Sequence, residues 1–204
     1  MTHITNEPAR VYHGQLRPRQ VEETRERILD ATVRVMARGL ASVSIPAVAQ
    51  EAGVSVPTIY RHFGTKTDLL AAVYPHLARR AGFNHLPAPT SVDGFRAMVG
   101  AMFGGLDSLG DEARAAMASP AAEEARRTSM PDRVRMSRRF VDAVAPGASE
   151  ADRDRIARVM VILTTTSAMR MWRDHLGTSI DTAADDIEWI LIAAIAATDL
   201  PGGR

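Results

Sequence analysis

Apolar residues recur at steps of three and four along most of this 204-residue chain, while the strict alternation that marks strands is nearly absent. The pattern predicts an all-α protein. Val21, Thr24, Ile28, Ala31, Val35 and Met36 form one stripe of a first helix that starts near residue 20 and is closed by Gly39. Glu23/Arg27 and Asp30/Arg34 stand four apart on its polar side, the spacing of intrahelical ion pairs. Ser44 with Pro46 opens a short second helix ended by Gly53, and Ser55 with Pro57 opens a third ended by Gly64. Thr65 to Asp68 reads as a capping-box variant that starts a fourth helix over 66–81. Pro75 removes that helix's bond to the Ala71 carbonyl and predicts a bend.

Residues 1–19 show no periodicity and read as a flexible arm. The stretch Asn84 to Thr90, with Pro87 and Pro89, reads as the linker between a head over 20–83 and a body over 84–204. In the body, Ser91, Asp111, Ser119, Ser149 and Asp181 are placed to cap helices over 91–109, 111–118, 120–130, 131–144, 150–176 and 182–199.

Composition narrows the chemistry. Cysteine is absent, which excludes disulfides, zinc-thiolate sites and iron-sulfur clusters. The longest apolar run, Trp189 to Ala197, is too short to cross a bilayer, and the N-terminus lacks the apolar core of a signal peptide. The expectation is a cytoplasmic protein with no membrane contact. Formal net charge is +1, but residues 1–80 carry 11 Lys/Arg against 7 Asp/Glu and the remainder 14 against 17. A basic head on a mildly acidic body suits one end meeting a polyanion. There is no Gly-rich phosphate loop, nucleophile motif, carboxylate-histidine cluster or metal-ligand spacing. The chain therefore reads as no enzyme, with no cofactor and no metal.

Val48-Ala49-Gln50-Glu51-Ala52-Gly53-Val54-Ser55-Val56-Pro57-Thr58-Ile59 has helix-turn-helix spacing. Ala49 lets the crossing helix approach, Gly53 supplies the turn, and Val54 and Ile59 plug the angle. A generic helical hairpin would share this pattern. The string GVSVPTIYRHFGTKTDLL narrows it, because it resembles the signature of TetR-family repressors: a short recognition helix ending in an aromatic-x-His-Phe run, then a Lys opening the next helix. The resemblance spans about residues 20–75 and implies a three-helix DNA-reading head, a helical effector-binding and dimerisation body, and a double-stranded DNA operator read as a palindrome.

The candidate DNA-facing residues are Ser44, Ser55, Val56, Pro57, Thr58, Tyr60, Arg61, His62 and Lys66, with Arg17 and Arg19 of the arm for the minor groove. Thr58 and Tyr60 offer groups for bases or phosphates. Arg61 can read guanine bidentately or pair with phosphate, and His62 can donate to phosphate or pack as a helix end. Lys66, at a helix N-terminus, suits a phosphate clamp.

In the body, the helices expected at 150–176 and 182–199 carry more apolar residues than one buried face needs, including Met160, Leu163, Trp189, Ile190 and Ile195. The resemblance implies a homodimer through residues 150–199. Gly100, Gly104 and Gly105 weaken the helix at 91–109 by about 1 kcal/mol each relative to alanine. They suit either close packing or a pliable wall. By the resemblance, a cavity beside this helix takes a small hydrophobic or aromatic effector, with Met98, Met102, Phe103, Leu106, Phe140, Thr164, Thr165 and Trp172 as candidate lining. Thr164 and Thr165 can instead bond back to their own helix, and His85 and His175 are further candidates for the wall. The function expected is an effector-released repressor. The alternative is a DNA-binding protein of this type without a small-molecule effector, controlled by a protein partner or architectural.

Overall fold

The computed structural model describes residues 13–39, 43–82 and 85–198, and the side chains of all of these except 13–17 and 128. Every regular element among them is helical. The head holds α1 (His13–Ala37), α2 (Ile45–Ala52), α3 (Val56–Phe63) and α4 (Lys66–Arg80). The body holds α5 (Val92–Ser108), α6 (Gly110–Met117), α7 (Pro120–Val144), α8 (Glu150–Leu163), α9 (Thr166–Arg170) and α10 (Ile180–Thr198), with a π-helical turn at Met171–His175.

Hydroxyl caps explain most helix starts. The side chains of Ser44, Ser55, Thr65, Ser91, Ser119 and Ser149 each accept from the backbone N–H three residues on, satisfying a donor that the helix leaves free. Two expected caps do otherwise. Ser179, not Asp181, accepts from the Thr182 N–H at 3.0 Å, so α10 opens at Ile180. Asp111 lies inside α6, which begins at Gly110 without a side-chain cap, and pairs with Arg114.

Three boundaries depart from the periodicity. The helix α1 begins at His13, so residues 13–19 are helical and not part of an extended arm. Pro18 forgoes only the bond to the Gly14 carbonyl, near the helix start. Residues 1–12 of the expected arm lie outside the described residues. Helices expected at 120–130 and 131–144 form one element, α7, which runs through Pro131 because packing on α8 and α4 holds it together past one missing bond. The helix expected over 150–176 is broken at Thr164–Thr165. There the Thr164 hydroxyl donates back to the Met160 carbonyl at 2.8 Å, while Thr165 caps α9 by accepting from the Ala168 N–H.

One buried cluster joins head and body across the linker, from Ile28 and Leu29 of α1 through Leu69 and Leu77 of α4 to Phe103 and Leu106 of α5 and Ile187 and Leu191 of α10. Each such side chain contributes about 1.5–3 kcal/mol by burial. The stripe on α1 begins at Ile28, since Val21 is exposed; beyond it Val33 and Val35 are buried on opposite sides because α1 packs on α6 of the body as well as on α2 and α4. The expected intrahelical pair Asp30/Arg34 is replaced by bonds between helices. Asp30 meets His76 at 2.7 Å and Arg80 at 2.8 Å on α4, and Arg34 meets Glu51 at 2.6 Å on α2. Facing helices offer these side chains nearer partners than their own turn does.

Candidate nucleic-acid interface and candidate ligand cavity

Gly53 takes the left-handed conformation (φ 63°, ψ 37°), which a side chain would strain, and the Val54 N–H closes the turn onto the Ala49 carbonyl at 3.0 Å. Val48, Ala49 and Ala52 of α2 and Ile59 and Phe63 of α3 are buried. The small side chains of α2 let α3 cross closely and face outward. At its tip Ser55 and Pro57 are exposed and Val56 and Thr58 half-buried; Tyr60 and Arg61 are exposed further along. The Ser55 hydroxyl caps α3 and shares a 2.9 Å hydrogen bond with the Thr58 hydroxyl, so the pair retains one free hydrogen. Ser44 is likewise engaged as the α2 cap, at the exposed start of that helix. Arg19 is exposed on α1, while the Arg17 side chain lies outside the described ones.

Charge at this surface is uneven. Arg61 and Lys66 make no ion pair among the described residues, whereas Arg34 and Arg38 both neutralise Glu51, holding its carboxyl below the usual range. Arg25 was not singled out by the sequence pattern. It donates to the His62 carbonyl at 3.3 Å and lays its guanidinium 4.4 Å from the centre of the Phe63 ring, tying α1 to the end of α3. Burial, followed by the charges of Arg61 and Arg25, lowers the His62 pKa and keeps the ring neutral near pH 7. Gln20, Val21, Thr24, Arg61 and His62 line a shallow cleft between α1 and α3.

A second feature lies where head meets body. A half-open cavity of about 320 Å³ has a floor of Met36, Leu70, Val73, Leu77, Met117, Ala122 and Thr166, all buried, and a rim of Ala71, Tyr74, Pro75, Ser129, Asp132 and Arg133. Its volume is at the lower end of small-molecule sites. None of the eight residues expected at a cavity lines this one. Phe103 and Leu106 are core, and Met98 and Met102 pack against it. Phe140 stacks on Phe95 with ring centres 4.8 Å apart. Thr164 and Thr165 serve the helix break, and Trp172 packs against the core from the π turn.

Gly105 and Gly100 of α5 sit at close packing contacts, whereas Gly104 faces open space. A Cβ on Gly105 would collide with the Ala81 carbonyl at the end of α4, and one on Gly100 would touch Ala184. Neither His85 nor His175 reaches the cavity lining. The cavity's polar members come from α4, α7 and α9, and none of them was singled out by the periodicity. Tyr74 beside Pro75 was the one available signal, an aromatic at the expected bend.

The sequence profile described as "Bacterial regulatory proteins, tetR family" matches residues 28–73, the segment from α1 through the turn into α4. Over that segment the chain is similar to the TetR family of regulators. Among curated relatives it is 36% identical over 133 residues to the HTH-type transcriptional repressor KstR of Mycobacterium tuberculosis, covering 64% of this chain and 52% of that protein. It is 40% identical over 55 residues to the HTH-type transcriptional regulator SrpR of Pseudomonas putida, covering 26% of each. The matches thus span about a quarter to a half of these relatives' lengths. The likeness of fold to solved regulators extends through the body. NalD of Pseudomonas aeruginosa, described as the secondary repressor of a multidrug efflux pump, superposes with a TM-score of 0.61 over 86% of this chain and 96% of its own, at 17% identity. No helix among the described residues is long and apolar enough to cross a membrane.

Proposed function

We propose that this protein is a transcriptional repressor that binds a palindromic DNA operator as a homodimer and is released from it by a small, largely apolar effector. The observation that carries the reading is the course of α4. Its first residue, Lys66, follows the last residue of α3 by three positions, and its later residues Leu70, Val73 and Leu77 form the cavity floor. One helix reaches both surfaces. A ligand seated on that floor bears directly on the helix that orients the recognition helix.

At the DNA end, Val56, Pro57, Thr58, Tyr60 and Arg61 meet base edges, while Lys66, His62 and the head of α1 around Arg19 meet phosphates. The cations Arg61 and Lys66 have no carboxylate to compete with DNA among the described residues, which supports the assignment. Dimerisation is supported by an apolar face that the chain leaves uncovered, with Val159 and Ile162 on α8 and Trp189 and Ile192 on α10. Two-fold pairing there would set two heads about one helical turn of DNA apart. A ligand favouring the DNA-incompetent arrangement 100-fold supplies about 2.7 kcal/mol per site, enough to release an operator bound with modest surplus affinity.

The test selects DNA fragments with the purified protein, then titrates the recovered operator with a panel of apolar and aromatic compounds in gel shifts. Compounds that raise the melting temperature should weaken operator binding. Stabilising compounds that never weaken it would favour control without an effector, and recovery of no sequence preference would overturn the repressor reading.

A further inference from the structure

The cavity has a sided chemistry. Its floor is apolar apart from the Thr166 hydroxyl, and its polar groups stand at the rim. Three charges lie there, and two are neutralised within the protein. Arg126 pairs with Glu123 at 2.8 Å and donates to the Met117 carbonyl at 2.7 Å, while Asp132 pairs with Arg135. Arg133 differs. Its Nη2 donates to the Thr164 carbonyl at 3.3 Å, and it meets no carboxylate among the described residues. A half-buried guanidinium has five donors, and one carbonyl leaves most of them open to solvent or to a group that enters the cavity and displaces it.

Tyr74 lines the same cavity from α4, where burial raises its phenol pKa and the charge of Arg133 acts against that rise. Both project from helices that define the cavity, α4 and α7.

We infer that the effector is an amphipathic acid, with a carboxylate paired to Arg133 and an apolar body lying on Met36, Leu70 and Met117. The inference rests on the reading of this cavity as the effector site. A neutral hydrocarbon of the same shape would leave the guanidinium desolvated and unpaired, and a cation would meet it with like charge. A carboxylate satisfies it in the bidentate geometry that a planar guanidinium favours. The apolar body then presses on α4 beside Pro75, and the acid bridges α4 to α7.

Two matched pairs of probes test this on the full-length protein by calorimetric titration and thermal shift: decanoate with decan-1-ol, and 2-naphthoate with 2-naphthalenemethanol. In at least one pair the acid should bind about tenfold or more tighter than its alcohol, the ratio expected when a charge-assisted pair replaces a neutral hydrogen bond. Arg133→Met should bring the acid down to the alcohol's affinity and leave the alcohol's within about twofold, and Arg133→Lys should retain part of the preference. Acid and alcohol binding equally in both pairs would overturn the acidic-effector inference and leave the cavity reading standing. An acid preference that survives Arg133→Met would overturn the assignment to Arg133. Binding by neither member of either pair would count against the cavity reading itself, and the inference would fall with it. Should Arg133→Met not fold, as judged by its helical circular dichroism, the acid-to-alcohol ratio on the unaltered protein decides alone.

Discussion

Lys66 and His62 sit a few residues apart on the side of the head proposed to face DNA, yet they should respond to solution conditions in different ways. Lys66 opens α4, where free backbone N–H groups and the helix dipole already favour an anion. Lys66→Ala should lower affinity for all DNA sequences and reduce the salt-dependence slope by about 1 for each phosphate the lysine had neutralised. An unchanged slope would remove Lys66 from the interface. His62 is held neutral by burial and by its arginine neighbours, its pKa lowered from 6.5. The unfolded chain therefore takes up a proton before the folded one does. The stability His62 contributes is complete above about pH 6.5 and is lost as pH falls through its lowered folded value. A phosphate beside the ring reverses the balance by favouring the imidazolium. Operator binding should then strengthen as pH falls over the range in which the free protein weakens, and His62→Gln should abolish both trends. Fluorescence anisotropy and thermal melts across pH 5–8 measure them.

At the scale of the element, α4 is gripped at three places: by the cap at Thr65, by Asp30 through His76 and Arg80, and by the close approach of Ala81 to Gly105. The last of these makes a sharp comparison possible. A methyl at Gly105 meets the Ala81 carbonyl, which is backbone and must move for it, whereas one at Gly104 meets open space in the same helix. Gly105→Ala should cost about 1–3 kcal/mol through overpacking, and Gly104→Ala should gain up to about 1 kcal/mol from helix propensity. Melting temperatures should move in opposite directions, by about 2–4 °C per kcal/mol for a chain of this length. Because Gly105 abuts the body end of α4, its replacement should also alter operator affinity more than Gly104→Ala does. Equal effects on DNA binding would make the close approach purely structural. The helix break at Thr164–Thr165 belongs to this scale as well. It places the Thr164 carbonyl where Arg133 donates to it, at one side of the cavity.

For the whole molecule, the proposed dimer rests on which face of α8 and α10 the chain leaves bare. Ile190 and Ile195 pack half-buried against their own core, whereas Trp189 is 70% and Ile192 52% exposed. Ile192→Asp should therefore place an unpaired charge in the proposed interface, at a cost of several kcal/mol, without disturbing the subunit core. Sedimentation at micromolar protein should show twice the chain mass for the unaltered protein and a folded single chain for the variant. A single-chain mass for the unaltered protein would refute this interface and leave the family likeness untouched.

The amino-acid sequence by itself determined the segment from the start of α2 to the start of α4. Caps, prolines and Gly53 act over three or four residues, so the starts of α2, α3 and α4 and the crossing of α2 on α3 follow from local chemistry. The family signature lies in that same short segment. What only the tertiary structure decided is whatever depends on which helices become neighbours. Asp30 and Arg34 left an available intrahelical pair for partners on α4 and α2. Pro131 stayed within α7 because packing outweighed one missing hydrogen bond, while the apolar run over 150–176 broke because two threonine hydroxyls bonded to backbone. The cavity passed unread for the same reason. Its walls come from α1, α4, α6, α7 and α9, and each contributes residues that in isolation read as core or as solvated surface. A periodic pattern tells which face of a helix is buried. It does not tell which other helix buries that face, nor where the two fail to meet.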